Sequence, residues 1–332
     1  MSAADMQLVR DTVPGGYNLA VGEPFFLQQV YGHVYPKEFW GHVRYPPMNG
    51  EAELLAILKL RMNGQHVVVT NGAKQAIQAC AYALRKHFNV EYLTTQAPYW
   101  PTYPTMAEMS RLEFFESDLD GGHGGYTARV LTAPNNPDGS MLYGTRQWDI
   151  WDAAYASPIY GWDYQVPWHK MSVWSAAKLF GLSGYRIGWL ATPDPELAKY
   201  AAEYVEKTTS GVSLPSQRLL HQFLFSLETH DKKQLQSEAR ALLISTNVAF
   251  MRLAPYLSEM KGFPETFSGM FAWVKPRDPE HFRKLLDIAK VKVVGGQFCG
   301  GHPDWIRVSL GVLPQTMAEA VSAIQDADRG SP

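Results

Sequence analysis

Cysteine, net charge and long apolar runs are all scarce in this chain of 332 residues. Its two cysteines, Cys80 and Cys299, cannot build a disulfide framework, which favours a reducing compartment. No stretch approaches the roughly 18 apolar residues that a membrane helix needs. The polar amino terminus, MSAADMQLVRD, lacks the apolar core of a signal peptide. These absences predict a cytoplasmic protein with no membrane partner.

An excess of charge of either sign is also lacking. The formal net charge is −2, and no basic block occurs anywhere in the chain, so nothing indicates direct nucleic-acid binding. The chain contains neither a GxGxxG turn nor a Walker loop, so neither a dinucleotide nor a nucleoside triphosphate is indicated. We predict no metal site.

Apolar runs of strand length are abundant, in a composition that is 46% hydrophobic and 19% charged, which is typical of a globular protein. The predicted strands are HVVVT (66–70), EYLTTQA (91–97), RLEFFES (111–117), RVLTAP (129–134), QWDIW (147–151), MSVWS (171–175) and RIGWLAT (186–192). Several lack polar alternation, which indicates a sheet buried on both faces. The fold class predicted is α/β, with a seven-stranded, mostly parallel sheet.

The pattern changes after Pro193. Helical periodicity covers 195–208, 216–257 and 279–290, and the strand-like runs there are 271–276, 291–296 and 305–311, before a final helix. This mixture predicts a second, smaller α+β domain. We therefore divide the chain into a large domain, 41–212, and a second part that consists of an amino-terminal arm, 1–40, and a small domain, 213–332.

The turn after the first large-domain strand is the first candidate binding site. Thr70-Asn71-Gly72 leads from this strand into a helix whose apolar residues share one face. The amides of Ala73 and Lys74 then lie at a helix N-terminus, where an anion is favoured. The alternative is an ordinary strand–helix connection that contains a glycine.

Two charged residues are candidates for chemistry. Lys178 is flanked by Ala176, Ala177, Leu179 and Phe180, and apolar surroundings lower the pKa of a lysine, as imine formation with an aldehyde requires. The alternative is a lysine that extends to solvent. Asp152 follows an apolar strand and could face a ligand crevice, or it could cap a helix.

Together these segments resemble the fold-type-I enzymes that use pyridoxal 5′-phosphate (PLP), and specifically the class I/II aminotransferases with the aspartate aminotransferase-like fold. The segments that carry the resemblance are, in chain order, NLAVGEP (18–24), RYPPMNGEAEL (44–54), GAKQA (72–76), APYWPTYP (97–104), PNNPDG (134–139), DAAY (152–155), SAAKLFGLSGYRIG (175–188) and WIRVSLG (305–311). The PYW and NPDG spellings are also similar to the alliinase-like and tryptophan-aminotransferase branch. The resemblance covers residues 17–311 in the family's order.

The resemblance implies roles around the cofactor ring. Lys178 would bind PLP as an internal aldimine and later move the proton between Cα and C4′. Asp152 would pair with the pyridine nitrogen, and Tyr155 and Asn136 would bond the ring's 3′-oxygen. Trp100 would stack on the ring.

It also implies groups at the two ends of the site. The phosphate would be held by the turn at Gly72, the amides of Ala73 and Lys74, Ser175, Arg186, and Tyr45 of the other subunit, which implies a homodimer with shared sites. The substrate would be an α-amino acid, bound by its carboxylate to Arg307 beside Asn136, with Gly22 lining the mouth.

Three features depart from the family. Lys74 stands where a small hydroxyl residue is usual, and it could face either the phosphate or solvent. Asp138 replaces a threonine. Only the fifteen residues 137–151 separate Asn136 from Asp152, whereas a parallel crossover usually takes about a dozen residues or more in addition to its strands. We therefore predict that 137–146 crosses as an irregular segment with at most one helical turn. The apolar residues of 147–151 would then be covered by another part of the chain or by the second subunit.

The reaction is left open among three alternatives. The full set of residues favours transamination through aldimine and ketimine chemistry, while a decarboxylase or lyase of the same fold keeps nearly the same ligands. A non-catalytic PLP-binding module is the third reading. Whether the amino acid is free or attached to a larger carrier stays open.

Overall fold

The computed structural model describes residues 15–19, 25–31, 47–116, 126–140, 148–160, 169–261 and 269–330. Within these ranges, no helix is both long and apolar enough to cross a bilayer. The amino-terminal and large-sheet helices are α1 (Phe25–Tyr31), α2 (Ala52–Arg61), α3 (Gly72–Phe88), α4 (Tyr103–Met109), α5 (Ala176–Leu179) and α6 (Pro195–Thr209).

All seven predicted strands of the large domain form one sheet. After the short amino-terminal strand β1 (Tyr17–Asn18), they are β2 (His66–Thr70), β3 (Tyr92–Thr95), β4 (Glu113–Glu116), β5 (Thr127–Thr132), β6 (Trp148–Asp152), β7 (His169–Ser175) and β8 (Gly188–Thr192). Their spatial order is β2-β8-β7-β6-β5-β3-β4. The strands β4, β3, β5, β6 and β7 pair in parallel, while β8 runs antiparallel to both of its neighbours. The mostly parallel seven-stranded sheet is thus confirmed.

The helix α3 packs closely on the sheet because most of its buried residues are small. Ala76, Ala79, Cys80 and Ala83 are all buried, and small side chains let the helix backbone approach the strands. This packing places the first turn of α3 beside the carboxyl ends of the central strands.

Three tryptophans lie together on the opposite face of the sheet from Asp152. The rings of Trp151 and Trp174 are 5.2 Å apart, and those of Trp174 and Trp189 stack at 6.3 Å. Ile150 and Trp151 are buried within the single chain, so these two need no second subunit to cover them. The side chain of Trp148, for which we made the same prediction, lies outside the described residues.

The second part of the chain contains a small antiparallel sheet. Its helices are α7 (Leu214–Glu228), α8 (Lys232–Phe250), α9 (Pro279–Ile288) and α10 (Pro314–Arg329), and its strands are β9 (Leu257–Lys261), β10 (Phe271–Pro276), β12 (Val294–Gly295) and β13 (Ile306–Ser309), with β11 (Val291–Lys292) paired to β1 instead. The order of the small sheet is β12-β13-β10-β9. The boundary that we propose at residue 212 lies between α6 and α7.

The prediction of a continuous helix over 216–257 is wrong. The chain leaves the helix at Glu228 and starts a new one at Lys232, because the carboxylate of Asp231 accepts hydrogen bonds from the amides of Lys233 and Gln234 and caps the second helix. After Phe250 a 3-10 turn that contains Pro255 leads into β9. The predicted strand 291–296 likewise divides into β11 and β12, which belong to different sheets.

Close backbone contacts join the two sheets beside the candidate site. The Cα of Gly139 lies so near Gly269 that a Cβ added to Gly269 would be 2.9 Å away from it. The amide of Tyr99 donates to the carbonyl of Cys299 at 2.9 Å. These contacts bring β13 against the carboxyl edge of the large sheet.

Candidate active site

The carboxyl ends of neighbouring parallel strands bring polar side chains to one edge of the large sheet. Thr132 ends β5, Asp152 ends β6 and Ser175 ends β7, and all three are buried. Ligand sites of open α/β sheets lie at this edge. The structure therefore brings together two of the predicted site residues, Asp152 and Ser175, at a position suited to binding.

Asp152 is a buried carboxylate held by two donors. Its Oδ1 accepts from the amide of Ala154 at 3.1 Å, and its Oδ2 accepts from the hydroxyl of Tyr103 at 2.8 Å. Burial raises the pKa of Asp152 from 3.8 to about 6, although both hydrogen bonds oppose the rise. No helix follows Asp152 directly, so helix capping does not explain it.

The raised pKa of Asp152 predicts how the stability of the cofactor-free protein depends on pH. Between about pH 4 and pH 6 the folded state binds the proton more tightly than the unfolded state, so stability falls as pH rises through this window and stays lower above it. A shift of this size corresponds to about 3 kcal/mol as an upper limit. Urea unfolding of the native protein and of Asp152→Asn from about pH 4 to pH 7.5 should show that the variant lacks this loss. Parallel profiles for the two proteins would contradict the assignment.

Asn136 connects Tyr155 with Arg307. The side-chain amide of Asn136 donates to the hydroxyl of Tyr155 at 3.3 Å, and its Oδ1 accepts from Nη1 of Arg307 at 2.8 Å. All three residues are buried. Burial raises the pKa of Tyr155, while the nearby Arg307 lowers it, so the phenol remains protonated near neutral pH.

The turn that carries Asn136 is braced by the residue that departs from the family pattern. Oδ1 of Asp138 accepts from Nδ2 of Asn135 and from Oγ of Ser140, both at 2.8 Å. An aspartate thus holds the turn internally. The described residues Pro137–Ser140 contain no helix, as predicted, and residues 141–147 of the connection lie outside the described part.

Lys178 lies in the single helical turn α5, directly after β7. The residue is half-buried, and its carbonyl accepts from the hydroxyl of Tyr160 at 2.7 Å. The ring of Tyr160 meets that of Tyr155 edge-on at 6.0 Å. Tyr160 therefore joins the backbone of Lys178 to the group around Asn136.

The predicted anion site begins with Gly72, a position that no other residue could occupy without strain. Gly72 has φ +76°, and a Cβ there would lie 2.8 Å from Nη2 of Arg186. The guanidinium of Arg186 thus fills the space beside the first turn of α3, where helix amides have no intrahelical acceptor. A positive group at a helix N-terminus forms a cradle for an anion.

Replacing Gly72 with alanine should damage this cradle. The positive φ costs an alanine roughly 1–2 kcal/mol, and the new Cβ would displace the guanidinium of Arg186. We expect lower thermal stability and at least about tenfold weaker retention of a phosphate-bearing cofactor. Gly64→Ala is the matched control, because Gly64 also has a positive φ but no atom lies within 4 Å of its added Cβ. Equal cofactor retention by both variants would argue against the anion site.

Lys74 and Trp100 lie together. The Nζ of Lys74 is 5.6 Å from the centre of the Trp100 ring, and this ring meets that of Tyr103 edge-on at 5.4 Å. The side chain of Lys74 therefore runs over the indole, an arrangement we did not anticipate. Gly22 and Tyr45, also predicted site residues, lie outside the described residues.

Three residues at the site were missed by sequence reasoning. Tyr103 follows Trp100 by three residues, a spacing that could have placed both rings together. Phe271 begins β10, and the guanidinium of Arg307 lies 4.5 Å from the centre of its ring. Tyr160 ends the short 3-10 turn Pro158–Tyr160. No local sequence signal marks the last two, because their contacts join distant parts of the chain.

These residues fit PLP. The cradle at Gly72 and Arg186 suits a phosphate, and a buried carboxylate with a raised pKa suits a protonated ring nitrogen. Lys178 follows Asp152 and precedes Arg186 in the chain, on the short turn α5. The buried guanidinium of Arg307 suits a carboxylate.

Comparisons with known proteins show which family the chain belongs to. A family model described as Allinase, Alliinase_C, matches residues 56–319. Tryptophan aminotransferase-related protein 2 of Arabidopsis thaliana is 34% identical over 163 residues, which cover 46% of this chain and 36% of that protein. The chain thus matches only about a third of that relative's length. An aspartate aminotransferase of Streptomyces avermitilis is 24% identical, covering 85% of this chain and 81% of that one.

The solved structures show the same architecture. An aspartate aminotransferase from Thermotoga maritima superimposes with a TM-score of 0.74 at 21% identity, covering 98% of this chain and 94% of that one. At this identity the likeness shows the fold alone. Because the family model spans most of the chain, the protein belongs to the Allinase family and is a fold-type-I, PLP aminotransferase-like protein.

Proposed function

We propose that the protein is a PLP-dependent aminotransferase that acts on an α-amino acid. The observation that carries the proposal is the buried guanidinium of Arg307 on Asn136, in the same site as the buried carboxylate of Asp152. One group suits a substrate carboxylate and the other suits a cofactor ring. The names of the relatives, which include aminotransferases, support it.

The residues divide the work between cofactor and substrate. PLP, when bound, supplies an electron sink for the bond that breaks at the substrate Cα. Asp152 would keep the ring nitrogen protonated, while Tyr155 and Asn136 would bond the ring oxygen and Trp100 would cover the ring. The cradle of Gly72, Ala73, Lys74, Ser175 and Arg186 would hold the phosphate.

Lys178 and Arg307 would determine which proton moves. Arg307 would fix the substrate by its carboxylate, so that the Cα–H bond lies within reach of the amine of Lys178. Lys178 would hold the cofactor by its aldehyde and, once displaced by the substrate, accept and return the proton. Two buried aromatic rings, Phe271 beside Arg307 and Tyr160 beside the backbone of Lys178, would limit the access of water.

Elimination by a lyase of the same fold is the second candidate. The match to the Allinase family model favours it, and such an enzyme would use nearly the same ligands. Nothing in the described site argues for a decarboxylase. A non-catalytic module would be expected to lack the lysine or the aspartate, and the sequence contains both Lys178 and Asp152.

A half-reaction screen would test the proposal. Purified PLP-loaded protein is mixed with single amino acids, and absorbance follows the change of the bound cofactor to its amine form. Mass spectrometry identifies the product. A keto acid that retains the side chain supports transamination, whereas release of the side chain supports a lyase. A cofactor that no amino acid changes would contradict both.

We also propose a homodimer with shared sites in the cytoplasm. Two free, buried cysteines are consistent with a reducing compartment, and Tyr45 would reach the phosphate of the other subunit's cofactor. Tyr45→Phe should weaken cofactor retention several-fold without changing thermal stability of the cofactor-free chain. Dialysis against buffer measures cofactor retention, thermal denaturation measures stability, and sedimentation velocity shows whether the protein is a dimer. Full activity of a monomer in dilute solution would contradict the shared site.

A further inference from the structure

A fully buried tyrosine lies behind Asp152. Tyr103 begins α4 and is 0% exposed. Its hydroxyl is 2.8 Å from Oδ2 of Asp152 and 2.6 Å from Oγ1 of Thr132. Thr132 and Asp152 are themselves paired between the neighbouring strands β5 and β6. The three side chains thus form a short, buried polar chain.

The chemistry of the groups sets the direction of the hydrogen bonds. An ionised carboxylate can only accept, so the single phenol proton points to Asp152, and the hydroxyl of Thr132 donates to the phenol oxygen. The other carboxylate oxygen accepts from the amide of Ala154. Each oxygen of Asp152 therefore has one donor from the protein, and the plane of the carboxylate is set by both.

We propose that Tyr103 is a positioning residue for Asp152: with Thr132 behind it, its hydroxyl holds the carboxylate in one orientation and keeps it ionised for the ring nitrogen of PLP. The inference rests on the proposed use of PLP. A tyrosine suits this task because burial raises the pKa of Tyr103 well above its ordinary value, so the hydroxyl remains a donor at physiological pH.

The other titratable groups that the charge of Asp152 affects do not compete for this role. They are Cys80 from α3 and Tyr155 from the turn after β6, and burial raises the pKa of both, so both are neutral near pH 7. Lys178, on α5 after the neighbouring strand, is titratable too. Its reaction with an aldehyde would add a pH dependence of its own, which the choice of probe avoids.

The test measures binding of pyridoxine 5′-phosphate, which has the ring nitrogen and the phosphate but no aldehyde for Lys178. Its affinity for the cofactor-free chain is followed by fluorescence from about pH 5 to pH 9, and the readout is the pH at which affinity is half of its maximum. The proteins compared are the native chain, Tyr103→Phe, Thr132→Val and Tyr256→Phe. Tyr256 is the matched control, because its hydroxyl donates to an aspartate, Asp328, at 3.0 Å on the small domain.

Tyr103→Phe should raise this pH midpoint by about one unit or more, since a carboxylate that loses a donor becomes harder to ionise. Thr132→Val should shift it in the same direction by less, and Tyr256→Phe should leave it unchanged. A purely structural role of Tyr103 would weaken binding at every pH without moving the midpoint.

An unchanged midpoint in Tyr103→Phe would overturn the inference about Tyr103 but not the proposed function. If that variant does not fold, Thr132→Val decides: a midpoint raised above that of the control supports the inference, and an equal one overturns it. A native chain that binds neither this probe nor PLP would overturn the proposed function and, with it, the inference.

Discussion

Replacing Lys178 with alanine is expected to abolish covalent retention of PLP and to lower turnover by about a thousandfold or more. The amine is the group that would bond to the cofactor aldehyde and then move the Cα proton, and general acid–base catalysis by one positioned group contributes roughly 10²–10⁴-fold. Borohydride reduction of the native protein, followed by peptide mapping, should place the label on Lys178. The variant should still bind PLP reversibly, because the phosphate cradle and Asp152 remain.

Lys199→Ala serves as the control for this experiment. Lys199 lies on α6, is largely exposed and pairs with Glu196 at 3.3 Å, so its loss should leave retention and turnover unchanged. A borohydride label on Lys74, the lysine beside Trp100, would show that the site is assigned to the wrong lysine.

Arg307→Ala is expected to raise KM for the amino acid substrate strongly. Arg307 is buried on β13, and truncating one partner of a buried, hydrogen-bonded charge pair costs roughly 2–5 kcal/mol, which is about thirtyfold to several-thousandfold. Steady-state kinetics measures the change. Arg307→Lys should recover only part of it, because an ammonium cannot form the two parallel hydrogen bonds of a guanidinium.

Arg252→Ala is the matched control on the same part of the chain. Arg252 is an exposed arginine that donates to Gln325 at 3.0 Å, and we expect its KM to match that of the native protein. Normal KM in Arg307→Ala would mean that the carboxylate binds elsewhere or that the substrate lacks one.

The sequence predicted the large sheet well because its signals are local. Val67, Val68 and Val69 in β2 form an apolar run that is buried throughout, and such runs indicate a strand wherever they occur between turns. Gly72 and Lys178 were likewise proposed as site residues from their immediate neighbours. The prediction of one helix over 216–257 was wrong because apolar periodicity continues across Thr229–Asp231 and hides the break. The carboxylate of Asp231 caps the new helix that starts there.

Contacts between distant segments could not be derived in this way. Asn136 and Arg307 are 171 residues apart, and Tyr103 and Asp152 are 49 apart. Their hydrogen bonds depend on how β13 packs against the large sheet and on how the first residue of α4 reaches Asp152 at the carboxyl end of β6. The sequence could propose a role for each residue from its motif, but it contained no signal for the partner of Asp152.

The sequence by itself therefore determined the order of the strands along the chain, the glycine turn before α3 and the lysine after β7, since each depends on residues close together in the chain. Only the tertiary structure decided that Asp152 is buried against Tyr103 and Thr132, that Asn136 joins Tyr155 to Arg307, and that Lys74 lies over Trp100. The physical reason is that burial and hydrogen-bond geometry are properties of packed elements, and the pKa of a carboxylate follows from that packing rather than from its neighbours in sequence.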